Sequence, residues 1–329
     1  MSVDDWEFPH RRLFTTQAQM NRAFDNLREY KFVIKRAQYK ITNMPELEPA
    51  DLKYLGESRV IACSRADYEN MNFLSDCFNH AARAEARRYD SPHSPMDYWT
   101  LHKSAIIAEC REKFKKITYK NLEQLLYARE RGAGTFRASI MVGFIRMFDA
   151  KYVLNICAGW GDRLIGAIAN DAYYVGVDPN KKLAAGYDEI IAMFARDPAK
   201  YKMILEPFED AVLPALPYDL VIMAPPYFDL EIYDASSPEQ STTRYPTLDV
   251  WFDNFLMASI HKGINALARG GVFIMVMNDI RERDHCTLKM RDTTSAIPEL
   301  EYLGMLPYAD EYHGGKLRSP QPVWIWRKK

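Results

Sequence analysis

The chain has no CxxC pair, no GxxxxGK[ST] and no complete GxGxxG, and each absence removes a class of function. Its five cysteines, Cys63, Cys77, Cys110, Cys157 and Cys286, are scattered and odd in number. That spacing predicts neither a disulfide framework nor a zinc site, and it fits a reducing compartment. The histidines show no metal-ligand spacing, so no metal is expected. No apolar run approaches the length of a bilayer span, and the opening residues MSVDDWEFPHRRLF lack the apolar core of a secretion signal. The expected setting is the cytoplasm, away from membranes. Charge of one sign is also missing: 43 Lys and Arg against 44 Asp and Glu leave a net charge of −1. The chain as a whole carries no signature for a polyanion, and charge placement alone can create a basic face.

What is present is a globular composition, with 48% hydrophobic, 26% charged and 13% aromatic residues over 329 positions. That length suits one large domain or two moderate ones. Residues 14–130 are mostly polar, with apolar residues at helical spacing, as in SAIIAECREKFKKITYKNLEQLLYARE. Prolines and capping residues in NMPELEPADL and YDSPHSPMDYW mark turns and restarts. An N-terminal helical domain over residues 1–130 is therefore expected. From about residue 150 short β-rich runs alternate with helical stretches: KYVLNIC, YYVGVD, KMILE, DLVIMA and GGVFIMVMN, then LEYLGMLPY and QPVWIWRKK. Strands separated by helices imply βαβ units. Residues 131–329 are expected to form an α/β domain on a Rossmann-like, mostly parallel sheet of seven strands.

Two turns interrupt this pattern in an informative way. Gly159 and Gly161 follow the first strand and open a helix, where a missing Cβ lets backbone amides approach a ligand. The next strand ends on Asp178, an acid suited to ribose hydroxyls. Arg163 and Leu164 follow Gly161 and the next glycine is Gly166, which disfavours a dinucleotide. With no phosphate-cradling loop either, a nucleoside without phosphate is the ligand left. The second turn is Pro225-Pro226-Tyr227-Phe228, directly after the apolar run VIMA. Proline cannot continue a central strand, so the backbone is held rigid just past the strand end.

The order of these features, GxG after strand one, an acid after strand two and a Pro-Pro-aromatic turn after strand four, resembles that of class I S-adenosylmethionine-dependent amino-methyltransferases. FRASIMVGFIRMFDAKYVLNICAGWGDRLIGA and APPYFDLEIYDASSPEQSTTRYPTLDVWFDNFL are similar to DNA methyltransferases of phages and large DNA viruses, as is NFLSDCFNHAARAEARRYDSPHSPMDYW upstream. The resemblance implies S-adenosyl-L-methionine as cofactor, an exocyclic amino group of adenine or cytosine as acceptor, and a host cell as setting if the chain is viral. It implies that Pro225 supplies a carbonyl acceptor for the amino hydrogens, with Pro226 stiffening the turn, Tyr227 a stacking face and Phe228 a pocket wall. It implies cofactor contacts at Asn155, Ala158, Gly159, Trp160, Gly161 and Asp178, and at Phe208 with Glu209 or Asp210 around the adenine. Phe136 and Arg137 in GTFRAS resemble the segment over the methionine carboxylate. The departures are Asn155, which stands where many family members carry Asp, and Ala224, which stands where the family carries Asp, Asn or Ser; Asp229 or Glu231 are the acids that would compensate for Ala224.

Methylating a base in a duplex requires its extrusion or a single strand. DNA, or RNA, is the expected partner, through the basic residues Arg111, Lys113, Lys115, Lys116, Lys120, Arg129 and Arg131 and through the polar loop after APPY, which carries Arg244 and Tyr245. YHGGKLRSPQ is a third candidate for specificity. Two other readings stay open: a catalytically inactive cofactor- or nucleic-acid-binding partner subunit, which Ala224 favours, and an RNA, cap or small-molecule methyltransferase. Oligomeric state is not legible.

Overall fold

A computed structural model describes residues 8–9, 14, 16–31, 33–36, 59–64, 70–279, 285–311 and 317–329. NMPELEPADL and the first five residues of YHGGKLRSPQ, His313 among them, lie outside the described residues. Helix α1 (Gln17–Glu29) starts on a capping box in which Thr16 and Gln19 satisfy each other's backbone amides. Strands β1 (Ile34–Arg36) and β2 (Arg59–Ser64) follow, then α2 (Asp76–Glu85) and the two-residue strand β3 (Arg87–Arg88). Ser94 and Asp97 form a second capping box, with Pro95 at the first helical position, and open α3 (Pro95–Phe114). Helix α4 (Tyr119–Arg129) packs back on it, and Trp99, Ile106, Ile107, Leu122, Leu125 and Leu126 give this hairpin a core of its own.

The rest is the expected alternation. Helix α5 (Ala138–Met147) leads into β4 (Tyr152–Ile156), α6 (Asp162–Ala169), β5 (Tyr173–Val177), α7 (Ala184–Phe194), β6 (Tyr201–Ile204), β7 (Tyr218–Met223) and the short β8 (Glu231–Ile232). Helix α8 (Leu248–Trp251) continues through a π-helical segment, Phe252–Met257, into α9 (Ala258–Ala266). The chain then forms β9 (Leu267–Val276), α10 (Cys286–Ser295), β10 (Leu300–Met305), β11 (Tyr308–Glu311), β12 (Leu317–Gln321) and β13 (Val323–Lys328).

Seven strands form one sheet in the order β10-β13-β9-β7-β4-β5-β6. β6, β5, β4, β7 and β9 run parallel, while β13 is antiparallel to both β9 and β10. The chain thus winds outward from β4 in one direction through β5 and β6, and in the other through β7 and β9. Strand order reverses between β4 and β7, which opens a crevice at their carboxyl ends. With the last strand inserted antiparallel between β9 and β10, this is the sheet of the class I methyltransferase fold. The central strands are buried on both faces, as their continuous apolar runs require.

Two expectations are corrected. Residues 14–130 are not helical throughout: β1 and β2 pair with β11 and β12 in a separate four-stranded sheet, β1-β2-β11-β12. Helices α1 and α2 also lie on the α/β layer, where Phe24 stacks on Phe194 of α7 at 4.6 Å and Phe78 meets the same ring at 6.0 Å. LEYLGMLPY is not one strand. It breaks at Leu306 and Pro307, where proline has no amide to continue the ladder, so β10 stays in the large sheet and β11 enters the small one.

Candidate functional site

The crevice is built first by the turn after β4. Cys157, Gly159 and Gly161 have φ of 60°, 66° and 102°, a run of left-handed backbone that folds the chain sharply into α6. A side chain at Gly161 would start 2.7 Å from Ile190 Cδ1. Asp178, one residue past β5, closes this turn: its carboxylate accepts the Gly159 amide at 2.7 Å and the Asn180 amide at 3.0 Å. Burial raises the Asp178 carboxyl above the ordinary range, and the two amide donors oppose that rise.

Opposite stands the turn after β7, where Ala224, Pro225, Pro226 and Tyr227 leave the sheet edge. Between the two turns lies a cavity of about 460 Å³, a volume suited to a small organic ligand. Of the residues singled out in the sequence, Phe136, Arg137, Ala158, Gly159, Trp160, Asp178, Phe208, Glu209, Ala224, Pro225, Pro226 and Tyr227 line it. They come from segments far apart in the chain.

Glu231 lines it as well, whereas Asn155, Gly161, Asp210, Phe228, Asp229, Arg244 and Tyr245 do not. Asn155 is fully buried and faces inward, donating to the Tyr174 hydroxyl at 2.6 Å and accepting from Arg163 Nε at 3.1 Å. Gly161 supports the turn from behind. Asp210 points outward to Arg244 at 2.7 Å. Phe228, at φ 46°, turns its ring away to meet Trp251 edge-on at 6.0 Å.

The acid pair after β6 is thus divided between two environments. Glu209 faces the cavity, with Oε1 accepting from the Tyr245 hydroxyl at 2.8 Å and lying 3.0 Å from Arg244 Nη1. Its Oε2 is buried without a hydrogen-bond partner. Lys262 fixes the backbone of this loop by donating to the carbonyls of Phe208, Glu209 and Ala211 at 2.7, 3.0 and 2.7 Å. Arg244 and Tyr245 therefore brace Glu209.

The polar loop after APPY carries its own bonds. Gln240 is buried and its Oε1 accepts the Tyr233 and Asp234 amides at 3.1 and 3.2 Å. Lys182 bridges this loop to α2, at 3.4 Å from Asp234 and 2.7 Å from Glu85. The basic residues Arg111, Lys113, Lys115, Lys116, Lys120 and Arg131 are exposed, Arg129 pairs with Glu109, and none of them lines the cavity.

Sequence reasoning missed Asp162, Arg163, Tyr233 and Tyr308, which also line the cavity. Asp162 is 2% exposed, accepts from Ser75 Oγ at 2.6 Å, and burial pushes its carboxyl up to about 7. Its place directly after GxG, at the positive end of a helix, is the one signal that pointed to it. Arg163 lies over the Phe136 ring at 4.9 Å and donates to the Cys157 carbonyl.

No family model matches the chain, and no curated protein matches it in sequence. Among solved structures, TrmN from Thermus thermophilus is similar over 60% of this chain and 50% of its own, at 13% identity and a TM-score of 0.41. An rRNA methylase from Streptococcus thermophilus is similar over 60% of this chain and 99% of its own, at 12% identity and a TM-score of 0.37. The glycopeptide N-methyltransferase MtfA complexed with S-adenosyl-L-methionine covers 58% of this chain and 87% of its own, at 9% identity and a TM-score of 0.40. The chain spans half the length of the Thermus protein.

Proposed function

We propose that this protein is an S-adenosyl-L-methionine-dependent methyltransferase acting on the exocyclic amino group of a nucleobase, adenine in DNA first and cytosine next. One observation carries the reading: a nucleoside-sized cavity at the sheet's switch point has Asp178 and Glu209 on one wall and the Pro225-Pro226-Tyr227 turn on the other.

The residues present fit the cofactor. Asp178 keeps acceptor capacity beyond its two backbone amides, as paired ribose hydroxyls need. The orphaned Glu209 Oε2 suits an amino donor beside the Phe208 ring, because a buried carboxylate oxygen without a partner is costly. The bare backbone at Gly159 permits close approach. When bound, the cofactor supplies an electrophilic methyl group.

The chain's own task is then to present a poor nucleophile, since the lone pair of an exocyclic amine is conjugated into its ring. The Pro225 carbonyl accepts an amino hydrogen, the Tyr227 ring offers a stacking face, and the two prolines hold both in place. Tyr227 is itself anchored, its hydroxyl 3.5 Å from the Val276 carbonyl. Exposed Arg111, Lys113, Lys115 and Lys116 supply phosphate contacts outside the cavity.

Ala224 favours a second reading, a cofactor-binding protein without transfer. Incubation with radiolabelled cofactor and separate DNA, RNA and protein acceptors decides between them. Label is expected on DNA; a tight cofactor complex that labels nothing establishes the second reading, and label on RNA or protein alone moves the substrate.

A further inference from the structure

The loop after the proline turn holds a carboxylate to which the reaction outlined above gives no task. Glu231 on β8 lines the same cavity as Ala224, Pro225 and Tyr227. Its Oε1 accepts the Gly134 amide at 2.8 Å and its Oε2 accepts the Tyr233 hydroxyl at 2.7 Å. Gly134 in turn accepts the Trp160 indole N–H at 2.9 Å, and the Trp160 ring meets Tyr233 edge-on at 5.7 Å. The four residues close a circuit that joins the segment before α5, the turn after β4 and the loop after β7. Pairing of Arg88 with Glu231 and Arg87 with Ile232 fixes β8 from the other side.

Each carboxylate oxygen of Glu231 is held by one donor and keeps a further lone pair. A long flexible side chain is thereby ordered before any ligand arrives, so its entropy is already spent. Ala224, at the strand end, has no side-chain acceptor, and Asp229 does not line the cavity.

Resting on the methyltransferase reading of this cavity, we propose that Glu231 is the positioning residue for the acceptor: its carboxylate takes a hydrogen bond from the amino group of a planar aminated base. The acceptor must then carry an N–H donor at that point, and the site discriminates against the same ring without it. A hydrogen bond to a charged group gives such discrimination about tenfold.

The test is calorimetry with the cofactor site saturated by S-adenosyl-L-homocysteine. Two pairs of probes are titrated: 2′-deoxyadenosine against 2′-deoxynebularine, and 2′-deoxycytidine against 2′-deoxyzebularine, each second member lacking the amino group. The intact protein is expected to prefer the aminated member of at least one pair by about tenfold. In Glu231→Gln the amide oxygen serves Gly134 and the NH₂ donor opposes the amine, so the preference falls to about one when it is read with the S-adenosyl-L-homocysteine site again saturated. Tyr233→Phe, which keeps the carboxylate but removes one of its holders, is expected to lie between. No preference in the intact protein, or an undiminished one in Glu231→Gln or Tyr233→Phe, overturns the proposal. Failure of S-adenosyl-L-homocysteine to bind overturns the methyltransferase reading, and this proposal with it, and is seen before any probe is added.

Discussion

Gly186 leaves no room beside Asn79: a Cβ on Gly186 would stand 2.0 Å from Asn79 Oδ1. Asn79 is buried on α2 and donates to the Trp160 carbonyl at 2.9 Å, so α7 and α2 together hold the turn after β4. Gly186→Ala is expected to destabilise the protein by about 1–3 kcal/mol through overpacking, against the gain alanine normally gives a helix. Urea unfolding checks this. A rise in stability would mean that Asn79 moves aside freely.

Asp178→Asn puts an amide where two backbone donors, Gly159 and Asn180, both require an acceptor. One of them must face the new NH₂ group. S-Adenosyl-L-methionine affinity, read by calorimetry, is expected to fall at least about tenfold, since donors at a buried site are left unmatched.

Lys262 spends all three N–H donors on the carbonyls of Phe208, Glu209 and Ala211. Lys262→Met keeps the stem and removes the donors. It is expected to cost about 1.5–3 kcal/mol of stability by urea unfolding and to weaken cofactor binding, because Phe208 and Glu209 lose their shared anchor.

Asp162 gives a pH dependence with a definite sign. Its carboxyl rises from the ordinary 3.8 to about 7, mainly by burial, against the opposing Ser75 hydrogen bond. Between those values the folded chain holds a proton that the unfolded chain has lost. The contribution is fully present below the unfolded value and is lost as pH rises through about 7. Melting temperature measured from pH 4 upward should therefore fall for the natural chain relative to Asp162→Asn until about pH 7 and then run parallel. A difference that does not change with pH would contradict this.

The large sheet was legible because its signals are local. Five apolar runs separated by helical patterns gave the five parallel strands, and glycine and proline marked the two turns that frame the cavity. Strand β2 was not legible, since its partner β11 lies some 250 residues away and pairing at that distance leaves no period in the sequence; β1, which pairs only with β2, was hidden with it. The inward turn of Asn155 was equally hidden: its direction follows from Tyr174 and Arg163 on other elements. Glu231 could be named as a candidate but not chosen over Asp229, because Gly134, which holds it, is 97 residues upstream.

The antiparallel β13 has a further consequence for how the chain assembles. β9 and β10 meet each other only through β13, which is made after both. While a ribosome is still producing the chain, the open ladders of β9 and β10 stay unmet until residues 323–328 emerge. That half of the molecule can finish folding only once β13 has been made, and its exposed strand edges are where a nascent chain is most open to chaperones or to clumping.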